Sequence, residues 1–236
     1  MTNNKINTTD PISVASGGTS VSSLTAYTPV CGGTTTTGAV QSVAALGSAG
    51  QVLTSNGASA LPSFQTAPTV GKLQLIQTLT ASSSASLIFN TGITSAGVYM
   101  FVLNGVVAGT SGGDIEMVVS NNGGSTWTTS NYTSGIQIAA YNSATWVNDS
   151  GTTMFFATGG LDTTAGYGTS GVLYISGVNE AVLPNVVGQT MQHNGSVRLG
   201  LNVGYNTSIT SINAFKFYMG SGNIASGSIS LYYFGR

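Results

Sequence analysis

The chain has 236 residues, of which 5% are charged: five Lys and Arg, six Asp and Glu, one His, and a net charge of -1. Soluble domains carry about 25% charged residues, so here Thr, Ser and Asn must hydrate the surface, and burial in an assembly would remove what they leave uncovered. Five basic residues make no basic patch, the electrostatic term that dominates nucleic-acid affinity is missing, and nucleic acid is excluded as a partner.

Met1 to Pro11 has one lysine and no apolar run after it, which does not read as a secretory signal. No later stretch has the roughly 18 apolar residues of a membrane span, so membrane insertion is not expected. Synthesis in the cytoplasm without signal-directed export is the expectation. Between Asp10 and Lys72 there is no charged side chain, and a Gly-Gly-Thr unit recurs at Gly17–Thr19 and Gly32–Thr34. Such Ser/Thr/Gly/Ala-rich backbone has neither the charge of a solvating tail nor the large apolar residues of a core. It is expected to be covered by other copies of itself or by the structure it is mounted on. Cys31 is the single cysteine, which rules out an internal disulfide and a thiolate metal cluster. Val40, Val43, Ala44 and Leu46 cluster on one side of a short helical stretch, and the run after Ser48 reads as a strand ending in an Asn56-Gly57 turn.

Composition changes near Ala67–Gly71, where aromatic and β-branched residues become dense and alternate. The expected division is therefore 1–70, an attachment and oligomerisation segment, and 71–236, a β-sandwich domain. From Leu73 onward period-two runs predict strands at Leu73–Thr80, Ser86–Asn90, Val98–Val107, Asp114–Ser120, Ile136–Tyr141, Thr153–Ala157, Val172–Ser176, Ser196–Tyr205, Ile212–Met219 and Ser228–Phe234. Short strands with frequent turn signals and no useful helical stretch indicate an all-β, jelly-roll-like sandwich. The alternation of Val197, Leu199, Leu201 and Val203 with Arg198, Gly200, Asn202 and Gly204 predicts the apolar set in the core and the other set outside.

Chemistry-bearing clusters are sparse. Asp114 and Glu116 would share one face of a strand about 6.6 Å apart, a separation compatible with glycoside hydrolysis, but with no third acid, arginine or histidine near them they read as the solvated face of an amphipathic strand. Met191-Gln192-His193-Asn194-Gly195 reads as the end of a strand running into an Asn-Gly turn, with His193 an exposed turn histidine and no metal-ligand spacing around it. Cys31 lacks a base partner and reads as a small buried residue. Ser120 to Trp127 is similar to the Asp-box hairpin of sialidases, with Asn122 where the aspartate stands; it occurs once, and reads as a hairpin turn with Trp127 packed on the next strand. Gly159-Gly160 and Gly220-Ser221-Gly222 lack the lysine and helix of a phosphate cradle. No catalytic residue, metal or cofactor is expected. Trp127, Tyr132, Tyr141, Trp146 and Tyr167 are the candidate glycan contacts, aromatic faces amid Asn and Ser on a weakly charged β surface.

Ser16–Tyr27, Cys31–Ser42 and Leu53–Phe64 resemble the N-terminal repeat segment of tailed-bacteriophage fibre and related virion proteins. Ile209–Phe215 through Ser221–Tyr232 is similar to the closing strand pair of phage virion β-sandwich domains, although Tyr233 and Phe234 here precede Gly235. The resemblance implies a homotrimeric, non-enzymatic tail or head fibre. Its N-terminal part would bind other virion proteins, and its distal domain would face a glycan or protein of the host surface. Two other classes fit the composition: a fibre-borne glycan depolymerase, marked by turnover and an acidic pair in a cleft, and a cellular adhesin or S-layer-like module, marked by an export signal.

Overall fold

A computed structural model describes residues 12–67, 73–140, 143–157, 161–193 and 195–235. The chain divides into two compact units, 1–69 and 70–236.

In the first unit a 3-10 turn at Val14–Ser16 ends on Gly17 at φ 82, the left-handed conformation glycine adopts without strain. Two small antiparallel ribbons follow. One pairs β1 (Val30–Cys31) with β2 (Gln41–Ser42); the other pairs β3 (Gln51–Thr54) with β4 (Ser63–Thr66). The helical expectation for Val40–Leu46 is corrected, because Gln41 and Ser42 are spent in the first ribbon and only Val43 behind them is buried. The Asn56-Gly57 turn is also wider than expected. β3 and β4 are joined by residues 55–62, with the Asn56 amide donating to the Leu61 carbonyl and accepting from Gln65. Among the described residues of this unit Val43 is the one buried large apolar side chain, while Leu24, Tyr27, Val30, Leu46, Val52 and Leu53 are exposed.

The second unit contains β5 (Leu73–Thr80), β6 (Leu87–Phe89), β7 (Gly97–Ala108), β8 (Ile115–Ser120), β9 (Tyr132–Ala140), β10 (Ser143–Gly151), β11 (Met154–Phe156), β12 (Thr169–Val178), β13 (Asn185–His193), β14 (Val197–Asn206), β15 (Ala214–Met219) and β16 (Ile224–Phe234). They form an eight-stranded sheet in the order β10-β9-β14-β13-β12-β7-β16-β5 and a four-stranded sheet in the order β11-β8-β15-β6. All of these ladders are antiparallel. Among the described residues the fold is all-β, with no α-helix.

The two sheets enclose one core, because alternate residues of β7, β8, β15 and β16 are large and apolar. Phe101 sits at its centre, edge-on to Phe89, Phe215 and Phe217 at ring separations of 5.4, 5.0 and 4.9 Å. Each such edge-to-face pair adds about 0.5–1.5 kcal/mol beyond burial. A smaller cluster of Ile136, Ile138 and Phe155 lies under the other end of the large sheet. β10 and the length of β13 are strands that period-two reading did not yield, and β14 has its faces exchanged relative to expectation.

Candidate interaction surface

The exchange on β14 is complete. Val197, Leu199, Leu201, Val203 and Tyr205 all point outward, whereas Gly200, Asn202, Gly204 and Asn206 are buried. Val197 is 61% and Leu201 40% exposed. The reason lies in what covers the inner side. A Cβ on Gly200 would come within 2.5 Å of Ile136 Cδ1, and one on Gly204 within 2.9 Å of Met154 Sδ. β9 and β11 thus fill the volume that inward β14 side chains would need. Three of the four inward pairs between β13 and β14 include a glycine: Val186 with Gly204, Gly188 with Asn202, and Thr190 with Gly200; the fourth is Gln192 with Arg198. Because the side-chain period is two, seating the glycines inward sends every apolar partner out.

The inner side of this strand pair is polar where a core is normally apolar. Asn202, wholly buried, donates through Nδ2 to Thr190 Oγ1 at 3.0 Å and to the Gly200 carbonyl at 3.2 Å, and its Oδ1 is left without a partner. Buried amides that lack one bond carry a desolvation penalty of about 1–3 kcal/mol, so this region contributes less than its burial suggests.

Outward, the register lines the apolar side chains into rows across the sheet. Leu199 stands opposite Met191, Val203 opposite Val187, and Val187 opposite Tyr174. The last row continues through Met100 and Tyr232 to Leu75, with Phe234 6.0 Å from Tyr174. A groove of about 830 Å³ runs over β12, β13 and β14, floored by Val172, Tyr174, Val187, Met191, Leu199 and Leu201. The outward positions of β12, β13, β14 and β9 hold no Asp, Glu, Lys or Arg; the polar side chains nearest their centre are Gln189 and Gln137, both facing Leu201 across the ladder.

At the end of β13 a small polar cluster borders this face. His193 stacks on Tyr167 with ring centroids 3.9 Å apart, and its Nδ1 lies 3.7 Å from Asp162 Oδ2. Hydrogen bonds from Thr164, with a smaller contribution from His193, hold the Asp162 carboxyl below the usual range. His193 is the last residue of β13, in keeping with its expected place at a strand end, but it is partly covered by Tyr167 instead of exposed.

The candidate glycan contacts do not converge. Tyr132 is 1% exposed and belongs to the core; its hydroxyl accepts from the Val119 N–H at 2.9 Å and donates to the Thr128 carbonyl at 3.1 Å, and it cannot face a ligand. Trp127 is half-buried against the core with Lys216 Nζ 5.1 Å from its ring, a cation–π contact outside the four-stranded sheet. Trp146 is 63% exposed on β10, opposite Gln137, and Tyr167 is exposed beside His193, so these two flank the apolar face. Tyr141 lies outside the described residues.

The segment from Ser120 to Trp127 is a loop that carries the chain from β8 in one sheet to β9 in the other, which corrects the hairpin expectation. Asn122 ties this loop together: its Oδ1 accepts from the Ser120 hydroxyl at 2.8 Å and the Thr126 N–H at 3.0 Å. Asp114 precedes β8 instead of sharing it with Glu116, which stands opposite Tyr218 and, with burial, raises that phenol above its usual range. Cys31 is half-buried in β1.

Sequence reasoning did not find Tyr174, Val187 and Met191 as surface residues. The signal was present in Asn185–His193, whose Gly188 and Thr190 share a phase and whose Val187 and Met191 share the other. The chain matches no protein-family model, no curated protein and no solved structure.

Proposed function

We infer that this chain is a non-enzymatic structural protein of a tailed-bacteriophage virion, a tail or head fibre that mediates attachment to the host surface. In this reading it works as a homotrimer, residues 1–70 bind other virion proteins, and 71–236 form a distal, jelly-roll-like domain that meets a host glycan or protein. One observation supports it above the others: a sheet that turns five successive apolar side chains of β14 outward, in a chain with 5% charged residues, is built to be covered by protein. The nearly unburied ribbons of the first unit agree, since ordering a residue costs about 1–2 kcal/mol of conformational entropy that little apolar burial offsets there. Exposed Trp146 and Tyr167 are the aromatic faces left for contact with a host saccharide.

The test is gold-labelled antibody against the full chain, applied to virions and viewed by electron microscopy, with adsorption of the purified protein to host cells. Labelling on a fibre, together with competition against phage adsorption, is the expected result. Virions that carry no label overturn the reading.

A further inference from the structure

We propose that the outward face of β12, β13, β14 and β9 is the surface through which three copies of this chain pack, with β14 nearest the threefold axis. The inference rests on the fibre reading for its stoichiometry; the choice of face comes from the geometry of the sheet.

Four properties of the face select another copy of the chain over a different occupant. Identical surfaces brought together repel if they carry net charge, and these four strands present no Asp, Glu, Lys or Arg outward. A carboxamide both donates and accepts, so Gln189 and Gln137, flanking Leu201, can pair with the same residues of another copy. A saccharide site needs convergent polar groups around its platform, yet here the centre is aliphatic: Leu199, Leu201, Val203 and Val187. Finally, the Asp162 carboxylate at the end of β13 is already engaged by Thr164 and His193, and rotational symmetry orients like surfaces without a charged rim.

The dimensions agree with three copies. Packed sheets lie about 10 Å apart, so each sheet of a triangular arrangement stands about 5 Å from the axis; such a triangle has sides of about 17 Å, between three and four strands at about 4.8 Å each. The apolar groove over β12, β13 and β14, with β9 beside it, has that width. It centres on β13 and β14, and beyond β12 the same face is interrupted at Met100, which is buried. Four strands nine residues long present roughly 580 Å² of projected face.

The experiment uses the full-length protein, and Leu201→Glu as the variant, which would place three carboxylates together near the axis. Light scattering of the wild type should give three times the 23.8 kDa chain mass, falling threefold to the single chain in Leu201→Glu with an unchanged far-ultraviolet circular dichroism spectrum. A trimer that persists in Leu201→Glu overturns this face and leaves the fibre reading standing. A wild type of one or two chain masses overturns the threefold packing, and virion labelling then decides the fibre reading separately. Should Leu201→Glu fail to fold, Leu201→Cys in a Cys31→Ser background gives the answer by oxidative cross-linking. Covalent dimers formed at Leu201→Cys, and not at the exposed control Ile88→Cys on the four-stranded sheet, are expected; the reverse pattern refutes the proposal.

Discussion

β16 and β14 lie in the same sheet and alternate with the same period, yet they face opposite ways. In β16 Ile229 and Leu231 enter the core while Ser228 and Ser230 face out, the Ser230 hydroxyl 2.8 Å from that of Thr78 on β5. In β14 the glycines and asparagines enter and the valines and leucines leave. The difference is set by what lies opposite. Behind β16 and β7 the Phe89, Phe215 and Phe217 rings leave gaps that large side chains fill; behind β14, Ile136 and Met154 already occupy the space, and only a residue without a Cβ fits. A strand's alternation says which residues travel together, and the side chains already packed on each side of it, from the next strand as well as from the opposing sheet, say which way they go.

The largest effect should come from truncation, on β7 beside β16 for the core and on β14 for the outward face. Phe101→Ala removes the ring that touches Phe89, Phe215 and Phe217 and should cost about 3–5 kcal/mol in denaturant unfolding. Leu201→Ala should cost within about 0.5 kcal/mol in a dissociated chain, and its cost should grow with protein concentration, because only association covers that side chain. Equal, concentration-independent losses at both positions would erase the contrast between the inward side chains of β7 and β16 and the outward ones of β14.

A second, smaller effect probes the glycines. Gly200→Ala should destabilise by about 1–3 kcal/mol through overpacking against Ile136 Cδ1, although alanine is usually the better residue in regular structure. Adding Ile136→Val deletes that carbon and should recover part of the loss, so the two substitutions should be non-additive. Simple additivity, measured in a double-mutant cycle, would mean that the glycine is not there for clearance.

Tyr132 sharpens the comparison from the core side. Burial, the largest cause, pushes its phenol up to about 12 despite hydrogen bonds that act in the other direction. The folded protein therefore holds a proton there that the unfolded chain, titrating near its ordinary value of about 10, gives up first. The stabilising contribution is full below about pH 10 and is lost as pH rises through about 12. Tyr132→Phe should abolish that alkaline loss, while costing about 1–3 kcal/mol at neutral pH because the buried Val119 N–H loses its acceptor. A wild type whose unfolding midpoint stays level across that window would contradict the buried assignment.

The smallest effect belongs to the end of β13. Asp162 titrates below its ordinary range, so its contribution is present above the unfolded carboxylate value and fades as pH falls through the lower folded one. Asp162→Asn should remove a shallow acid-side slope from the thermal midpoint, lowering the neutral value slightly and leaving the acid end in place. An unchanged slope would show that the Thr164 and His193 contacts do not hold the carboxylate in solution.

Much of both sheets was legible in the sequence as strand positions. β5 begins and ends where Leu73–Thr80 predicts, and β7, β8, β14 and β16 keep their expected cores within a few residues. β10 was not legible, because Ser143–Gly151 carries mixed polar and small residues on an edge strand that faces solvent, so hydrophobic alternation has nothing to mark. Val40–Leu46 misled for the opposite reason: its spacing fits one side of a helix, but ribbon pairing takes Gln41 and Ser42. Among the candidate contacts, Tyr132 and Trp146 look alike in sequence, each an aromatic in a Thr/Ser-rich setting. The crossing from β8 to β9 buries the first, and the sheet edge exposes the second.

The sequence by itself determined that the chain is β-rich, that it is too poor in charge to rely on electrostatic repulsion, and that Val197, Leu199, Leu201 and Val203 share one face. These follow from composition and from the period of two, which are local properties of a strand. Only the tertiary structure decided that this face looks outward. Strand direction within a sheet is settled by the volume available on each side, and that volume is set by Ile136 and Met154, residues about 50 to 65 positions earlier in the chain.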